Sequence, residues 1–194
     1  IDIIIGTQII SKGYHLPNLT LVGIIDADLG LASSDLRASE NTFQLLQQVA
    51  GRSGREEKLG RAFIQTYYPD HPVILSLINS DKEKFINIEL SARERAELPP
   101  YGRLASITLS DVNEEKLVKF CKKLSFSVLT SKKVKVLGPA PAPITKIRNR
   151  YRYKFLVKAK KNANIQEYIR QWIFDKKKPN SIRILIDIDP YNFL

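Results

Sequence analysis

Apolar and polar positions divide the chain into two stretches with different rhythms. In the first, residues 2–6 and 19–26 are short, nearly continuous apolar runs, the pattern of parallel strands covered on both faces. Phe43, Leu46 and Val49-Ala50 keep a helical period up to Gly51. Residues 61–67 read as another strand, and Pro72 suits the first position of a helix through residue 78. Ser80-Asp81-Lys82-Glu83 has the form of a capping box opening a longer helix, which Pro99-Pro100 must stop.

The second stretch opens with a strand over 104–109, with Ala105, Ile107 and Leu109 on one side. An amphipathic helix over 113–129 follows, with Leu117, Cys121, Leu124 and Val128 inside. Lys116, Lys119, Lys122 and Lys123 lie largely off that stripe. Residues 134–137 read as a short strand and 138–143, with alternating prolines, as a stiff loop. From 148 to 158 the alternation is clean: Tyr151, Tyr153, Phe155 and Val157 take one face, and Arg148, Arg150, Arg152, Lys154 and Lys158 take the other. Ile165, Ile169 and Trp172 form a helical stripe, which makes Trp172 a core residue. Ile182, Ile184, Ile186 and Ile188 alternate as a last strand. Strand, helix, strand, strand, helix, strand is the order of a ferredoxin-like, split βαβ arrangement.

Composition sharpens this division. The chain has 194 residues and a formal net charge of +11. Residues 1–98 carry 10 Lys+Arg against 13 Asp+Glu, a balance of −3, and residues 99–194 carry 21 against 7, a balance of +14. We therefore expect one domain over 1–98 and a basic, nucleic-acid-binding domain over 99–194. An anionic membrane surface is the weaker alternative, since the cations do not share a helix with a long apolar face. No apolar run is long enough to span a bilayer. A single cysteine excludes an internal disulfide or a cysteine-cluster metal site in this chain. The lack of methionine and a start inside a strand pattern read as a piece of a longer protein.

Two motifs carry chemistry. Gln48, Gly51, Arg52, Gly54 and Arg55 spell Q-x-x-G-R-x-G-R at the end of the helical pattern. The glycines let the backbone leave the helix, and the arginines can aim two guanidinium forks at one polyphosphate. An arginine-rich helix end favoured by the macrodipole is the plainer alternative. The other motif is Gly6-Thr7-Gln8, then Lys12-Gly13, after the first apolar run; taken alone it is an ordinary polar loop. Asp26 and Asp28 follow the second run, either to orient Lys12 or an arginine or to cap the loop before the next helix. The chain contains no G-x-x-x-x-G-K-[ST] phosphate loop and no D-E-x-H sequence.

Together these motifs resemble the fifth and sixth motifs of superfamily-two helicases, and G-T-Q-x-x-x-K-G with Val49-Ala50 resembles the form in primosomal replication-restart helicases. The resemblance implies an α/β fold: the C-terminal part of a RecA-like lobe, followed by an S10-like βαββαβ α+β domain. It implies that Arg52 and Arg55 act as fingers on the ATP γ-phosphate, that Gln48 links nucleotide to lobe, and that Gly51, Gly54 and Asp26 lie near the nucleotide. Thr7, Gln8, Lys12 and Gly13 would contact nucleic-acid phosphates. His15 stands where many members carry an aspartate, so it receives no nucleotide role. ATP and Mg²⁺ would be held mainly by an upstream lobe, and Zn²⁺ by an upstream cysteine-rich module.

The activity implied is ATP-dependent 3′-to-5′ DNA unwinding at stalled or branched forks, leading to primosome assembly. The partners implied are branched or single-stranded DNA, single-stranded DNA-binding protein and primosome proteins, in a bacterial cytoplasm near the nucleoid. Competing readings are a nucleic-acid-binding or ribosome-associated module without an ATPase role, and another superfamily-two RNA or DNA translocase.

Overall fold

A computed structural model describes residues 2–7, 19–32, 35–51, 60–174 and 176–191. The chain forms two compact units, Ile1–Glu89 and Leu90–Leu194, so the division falls inside a helix.

In the first unit, β1 (Leu21–Ile24) and β2 (Arg61–Ile64) pair in parallel, Leu21 opposite Arg61 and Ile24 opposite Ile64. Helices α1 (Asp28–Leu31), α2 (Ala38–Ala50), α3 (Pro72–Ile78) and α4 (Lys82–Arg95) complete it. Ala27, Phe43, Leu46, Val73, Ile74 and Phe85 make its core, where the Phe43 and Phe85 rings stack with centroids 4.3 Å apart. His71 caps α3 through Nδ1, which accepts the Val73 N–H, and Pro72 follows as the first helical residue. Its missing N–H costs nothing there. Asp81, rather than Ser80, caps α4 by accepting the Lys84 N–H at 2.8 Å. Ser80 has φ 53, the left-handed conformation of a turn residue.

Two expectations for this unit change. Residues 2–6 form no strand, and Ile3 and Ile5 stand 79% and 92% exposed. An apolar run becomes a strand only where a neighbour accepts its ladder, and among the described residues this sheet consists of β1 and β2. The pair is also covered on one face only, for Leu21 and Phe63 remain in water.

The second unit follows the order β3 (Gly102–Asp111), α5 (Glu114–Phe126), β4 (Val134–Ile147), β5 (Arg150–Lys160), α6 (Ile165–Ile169) and β6 (Arg183–Ile188). A π-helical turn, Arg170–Phe174, continues α6. The strands lie in the order β4-β5-β3-β6, every pair antiparallel. First and third strands are central neighbours and second and fourth are edges, which is the split βαβ topology. Ala105, Ile107, Leu109, Phe155 and Val157 from the sheet meet Leu117, Phe120, Cys121 and Leu124 of α5, and Ile165, Ile169, Trp172 and Ile173. Trp172 is fully buried, edge-on to Phe155 with centroids 5.3 Å apart, and its Nε1–H donates to Leu124 O at 3.0 Å. Burial pushes the Cys121 thiol up to about 12, so it acts as a small apolar packing residue.

Two segments depart from the periodicity. The proline stretch 138–143, expected as a loop, lies inside β4, with register shifts between Leu137 and Ala140 and between Pro141 and Lys146. Prolines are tolerated there because β4 is an edge strand with one side free of ladder bonds. Gly138 turns the bulge at φ 109, and a Cβ on it would sit 2.7 Å from the Lys154 carbonyl. The alternation expected from 148 also begins later. Arg148 and Asn149 have φ 47 and 59 and form the two-residue turn of the β4–β5 hairpin, the type I′ geometry whose twist matches the strands.

Candidate nucleic-acid interface

Register decides which side chains share a sheet face. With Ala105, Ile107 and Leu109 beneath the helices, the opposite face presents Ser106, Thr108 and Ser110 of β3. Beside them lie Leu156, Lys154 and Arg152 of β5 and Asp187, Leu185 and Arg183 of β6. Ser106 and Thr108 are only 8% and 9% exposed. The result is a hydroxyl-floored trough with Arg152, Lys154 and Arg183 along it and Asp187 as a counter-charge. Lys154 is held below the usual lysine range, first by desolvation and then by the Arg152 charge. An anion placed beside Lys154 would favour its charged form and so offset both effects.

The other predicted cations have different fates. The Arg150 Nη2 donates to Ser110 O at 2.7 Å and Ser181 O at 2.6 Å, while Nε reaches Ser110 Oγ at 3.4 Å. It therefore fastens the start of β5 to β3 and to the approach to β6. Lys158 Nζ donates to the Ala96 carbonyl and lies 4.0 Å from Glu97 Oε2. Gly102 allows this approach, since a Cβ there would strike the Glu97 carbonyl. Arg148 stands exposed at the hairpin tip. Beside it, Lys146 Nζ sits 4.5 Å from the Tyr151 ring centroid, a cation–π contact. The structure thus brings Arg152 and Lys154 together and commits Arg150 and Lys158 to internal carbonyls.

Sequence reasoning missed the trough floor and Arg183. Their signal was present, since Ser106, Thr108 and Ser110 alternate with the apolar residues of β3, as Arg183 does with the isoleucines of β6.

A polar knot holds this face in place at one end of β3. Asp111 is fully buried; its Oδ1 accepts the Asn113 N–H at 3.0 Å and its Oδ2 the Ser181 hydroxyl at 2.6 Å. Lys116 Nζ donates to the same hydroxyl at 2.8 Å, and Asn113 Oδ1 caps α5 through the Lys116 N–H. Burial alone would raise the Asp111 pKa. The Asn113 N–H, the Ser181 hydroxyl and the Lys116 charge outweigh it and hold the carboxyl below its ordinary value.

In the first unit, Gln8, Lys12, Gly13, Arg52, Gly54 and Arg55 lie outside the described residues, as does His15. Thr7 is exposed. Gln48 is exposed near the end of α2, and Gly51 follows it with its N–H on Gln47 O at 3.0 Å. Asp26 adopts φ 63 and its Oδ1 accepts the Leu29 N–H at 3.2 Å. The Asp28 carboxylate accepts from the Thr66 hydroxyl and the Tyr67 N–H. Both aspartates thus serve turns at the carboxyl ends of β1 and β2. No cluster of metal-ligating side chains occurs among the described residues, and no described helix is long and apolar enough to cross a membrane.

The second unit is thus a basic βαββαβ α+β module with Arg152, Lys154 and Arg183 on the sheet face opposite its helices. The family model described as the primosomal protein N C-terminal domain matches residues 94–191, and the chain belongs to that family. It is 46% identical over 193 residues to the replication restart protein PriA of Rickettsia prowazekii (strain Madrid E), covering 100% of this chain and 30% of that protein. The PriA of Bacillus subtilis (strain 168) is 38% identical over 195 residues, covering 98% of this chain and 24% of that protein. That of Haemophilus influenzae (strain ATCC 51907 / DSM 11121 / KW20 / Rd) is 36% identical over 193 residues, with 97% and 26% covered. The chain therefore spans about 30% of the length of the first of these relatives.

Proposed function

We propose that this chain is part of an ATP-dependent DNA helicase that restarts replication at stalled or branched forks. The observation that carries this reading is the likeness to replication restart proteins along both units. It therefore takes in the arginine motif at 48–55 as well as the basic module. Residues 1–98 are read as the end of a RecA-like lobe, consistent with the parallel β1–β2 pair. Arg52 and Arg55 contact the γ-phosphate of ATP as charge builds during transfer, and Gln48 couples that site to the lobe. The chain has no phosphate loop of its own, so nucleotide, Mg²⁺ and the Zn²⁺ module belong to other parts of the intact protein. Thr7, Gln8, Lys12 and Gly13 follow the tracked strand. Residues 99–194 grip DNA through Arg152 and Lys154, with Arg148 at the hairpin tip. Primosome proteins and single-stranded DNA-binding protein are its partners.

The test is DNA-stimulated ATP turnover by the intact protein. Arg52→Ala or Arg55→Ala is expected to lower kcat on the order of 10³-fold, the scale of an arginine finger, with DNA affinity nearly unchanged. Full turnover by both variants would remove the finger assignment.

A further inference from the structure

The reading above leaves the helix side of the second unit without a role, yet its cations are organised there too. Lys116, Lys119 and Lys123 recur at i, i+3 and i+7 along α5 and share one stripe. Beside this stripe lie Lys177 and Pro179 of the connection that leads into β6. The connection is fastened at one end by Trp172 Nε1–H on Leu124 O and at the other by Lys116 Nζ on Ser181 Oγ. Lys178 Nζ folds back to the Ile182 carbonyl at 2.7 Å and stiffens this connection.

Between helix and connection lies a cleft of about 430 Å³, lined by Lys116, Lys119, Lys123 and Lys177 over Phe120 and Pro179, with Glu115 the one acid on its wall among the described residues. Lys119, Lys123 and Lys177 are exposed. Lys116 and Lys123 lie about 10 Å apart along α5 by helical rise, long enough for more than one phosphate of a strand to pass. Phe126 continues the same stripe, three residues past Lys123, and stands 90% exposed. An aromatic ring left in water beside a phosphate-sized cationic groove suits a strand whose bases are unstacked. Because the helices cover the sheet face opposite the trough, this cleft is separate from Arg152 and Lys154.

We propose that the cleft between α5 and the 176–181 connection is a second nucleic-acid site, which holds a single strand by its phosphates while Phe126 stacks on a base. This rests on the reading that the module binds nucleic acid and extends it. Two anion-gripping surfaces on opposite sides of one small unit let it hold two arms of a branched substrate at once.

The experiment titrates the full chain against fluorescein-labelled oligothymidylate of about 20 nucleotides in about 0.1 M salt, read by anisotropy. Lys119→Gln, Lys123→Gln and Lys177→Gln together are expected to weaken binding at least about tenfold and make the log–log salt slope shallower by about 2. Lys→Arg at the same positions should restore both, and Lys119→Glu alone should weaken binding in the same direction. Phe126→Ala should weaken binding about threefold or more with the slope unchanged. Unchanged Tm values check that these exposed substitutions leave the fold intact. Should the wild-type chain bind the oligomer and the triple glutamine variant bind it equally well with the same slope, the cleft assignment is overturned while the module's DNA reading stands. Failure of the wild-type chain to bind either oligothymidylate or duplex DNA defeats both. A loss seen only with labelled polyglutamate assigns the cleft to an acidic peptide and overturns the proposal.

Discussion

Asp111 shows how one side chain can set the geometry of a whole face. Its carboxylate holds the Asn113 N–H and the Ser181 hydroxyl, which in turn receives Lys116. Its pKa is held low in the folded state. A depressed folded value means that the stabilisation is present above the unfolded carboxylate value of about 3.9 and is lost as pH falls through the folded value. Asp111→Asn keeps the shape but supplies an N–H where an acceptor is needed, opposite a hydroxyl already engaged with Lys116. We expect it to cost about 2 kcal/mol at neutral pH and to flatten the acid limb of stability below about pH 4. Urea melts across that pH range check both effects. An unchanged acid limb would place the acid sensitivity in other carboxylates.

At the scale of elements, the β4–β5 hairpin carries the clearest prediction. Both turn residues have positive φ, Arg148 at 47 and Asn149 at 59, and asparagine tolerates that region better than most residues. Asn149→Ala should destabilise the chain by about 1 kcal/mol, and Asn149→Gly should be neutral or stabilising, with the urea m-value unchanged in both. The same hairpin shows why part of the fold was legible in the sequence and part was not. The alternation of Tyr153, Phe155 and Val157 marked the buried face because a face packed under helices imposes a period of two. Ile165, Ile169 and Trp172 were marked likewise by a helical period. Arg148 did not differ in polarity from Arg150 or Arg152, so pattern alone could not say that it turns the corner. Nor could pattern reveal that Arg150 and Lys158 spend their donors on carbonyls far along the chain, since those contacts exist only once the strands pair. The prolines of 138–143 read as a loop because a central strand would exclude them, and only the sheet order, with β4 at an edge, admits them. Residues 2–6 failed in the opposite sense: the apolar run was real, but a strand also requires a partner.

For the whole molecule, the question is whether nucleic-acid affinity follows net charge or a site. The chain carries +11 overall, and a diffuse field of that size would draw in DNA wherever its lysines lie. A site reading differs, because only cations that meet phosphates release counterions. Arg152→Gln with Lys154→Gln removes two charges from the trough, and Lys132→Gln with Lys133→Gln removes the same number from an exposed loop. Diffuse attraction predicts equal losses for the two pairs. Phosphate contacts at the trough predict that the first pair lowers the log–log salt slope on duplex DNA by about 1.8 and that the second leaves it close to wild type. Lys154 sharpens the contrast, since its charged form is already disfavoured by desolvation and by Arg152, and a bound phosphate would raise its pKa. Affinity lost with the first pair should therefore come with a weaker pH dependence on the alkaline side, below the ordinary lysine value of about 10.4. Equal slopes for the two pairs would return the basic half to the role of a general cationic surface.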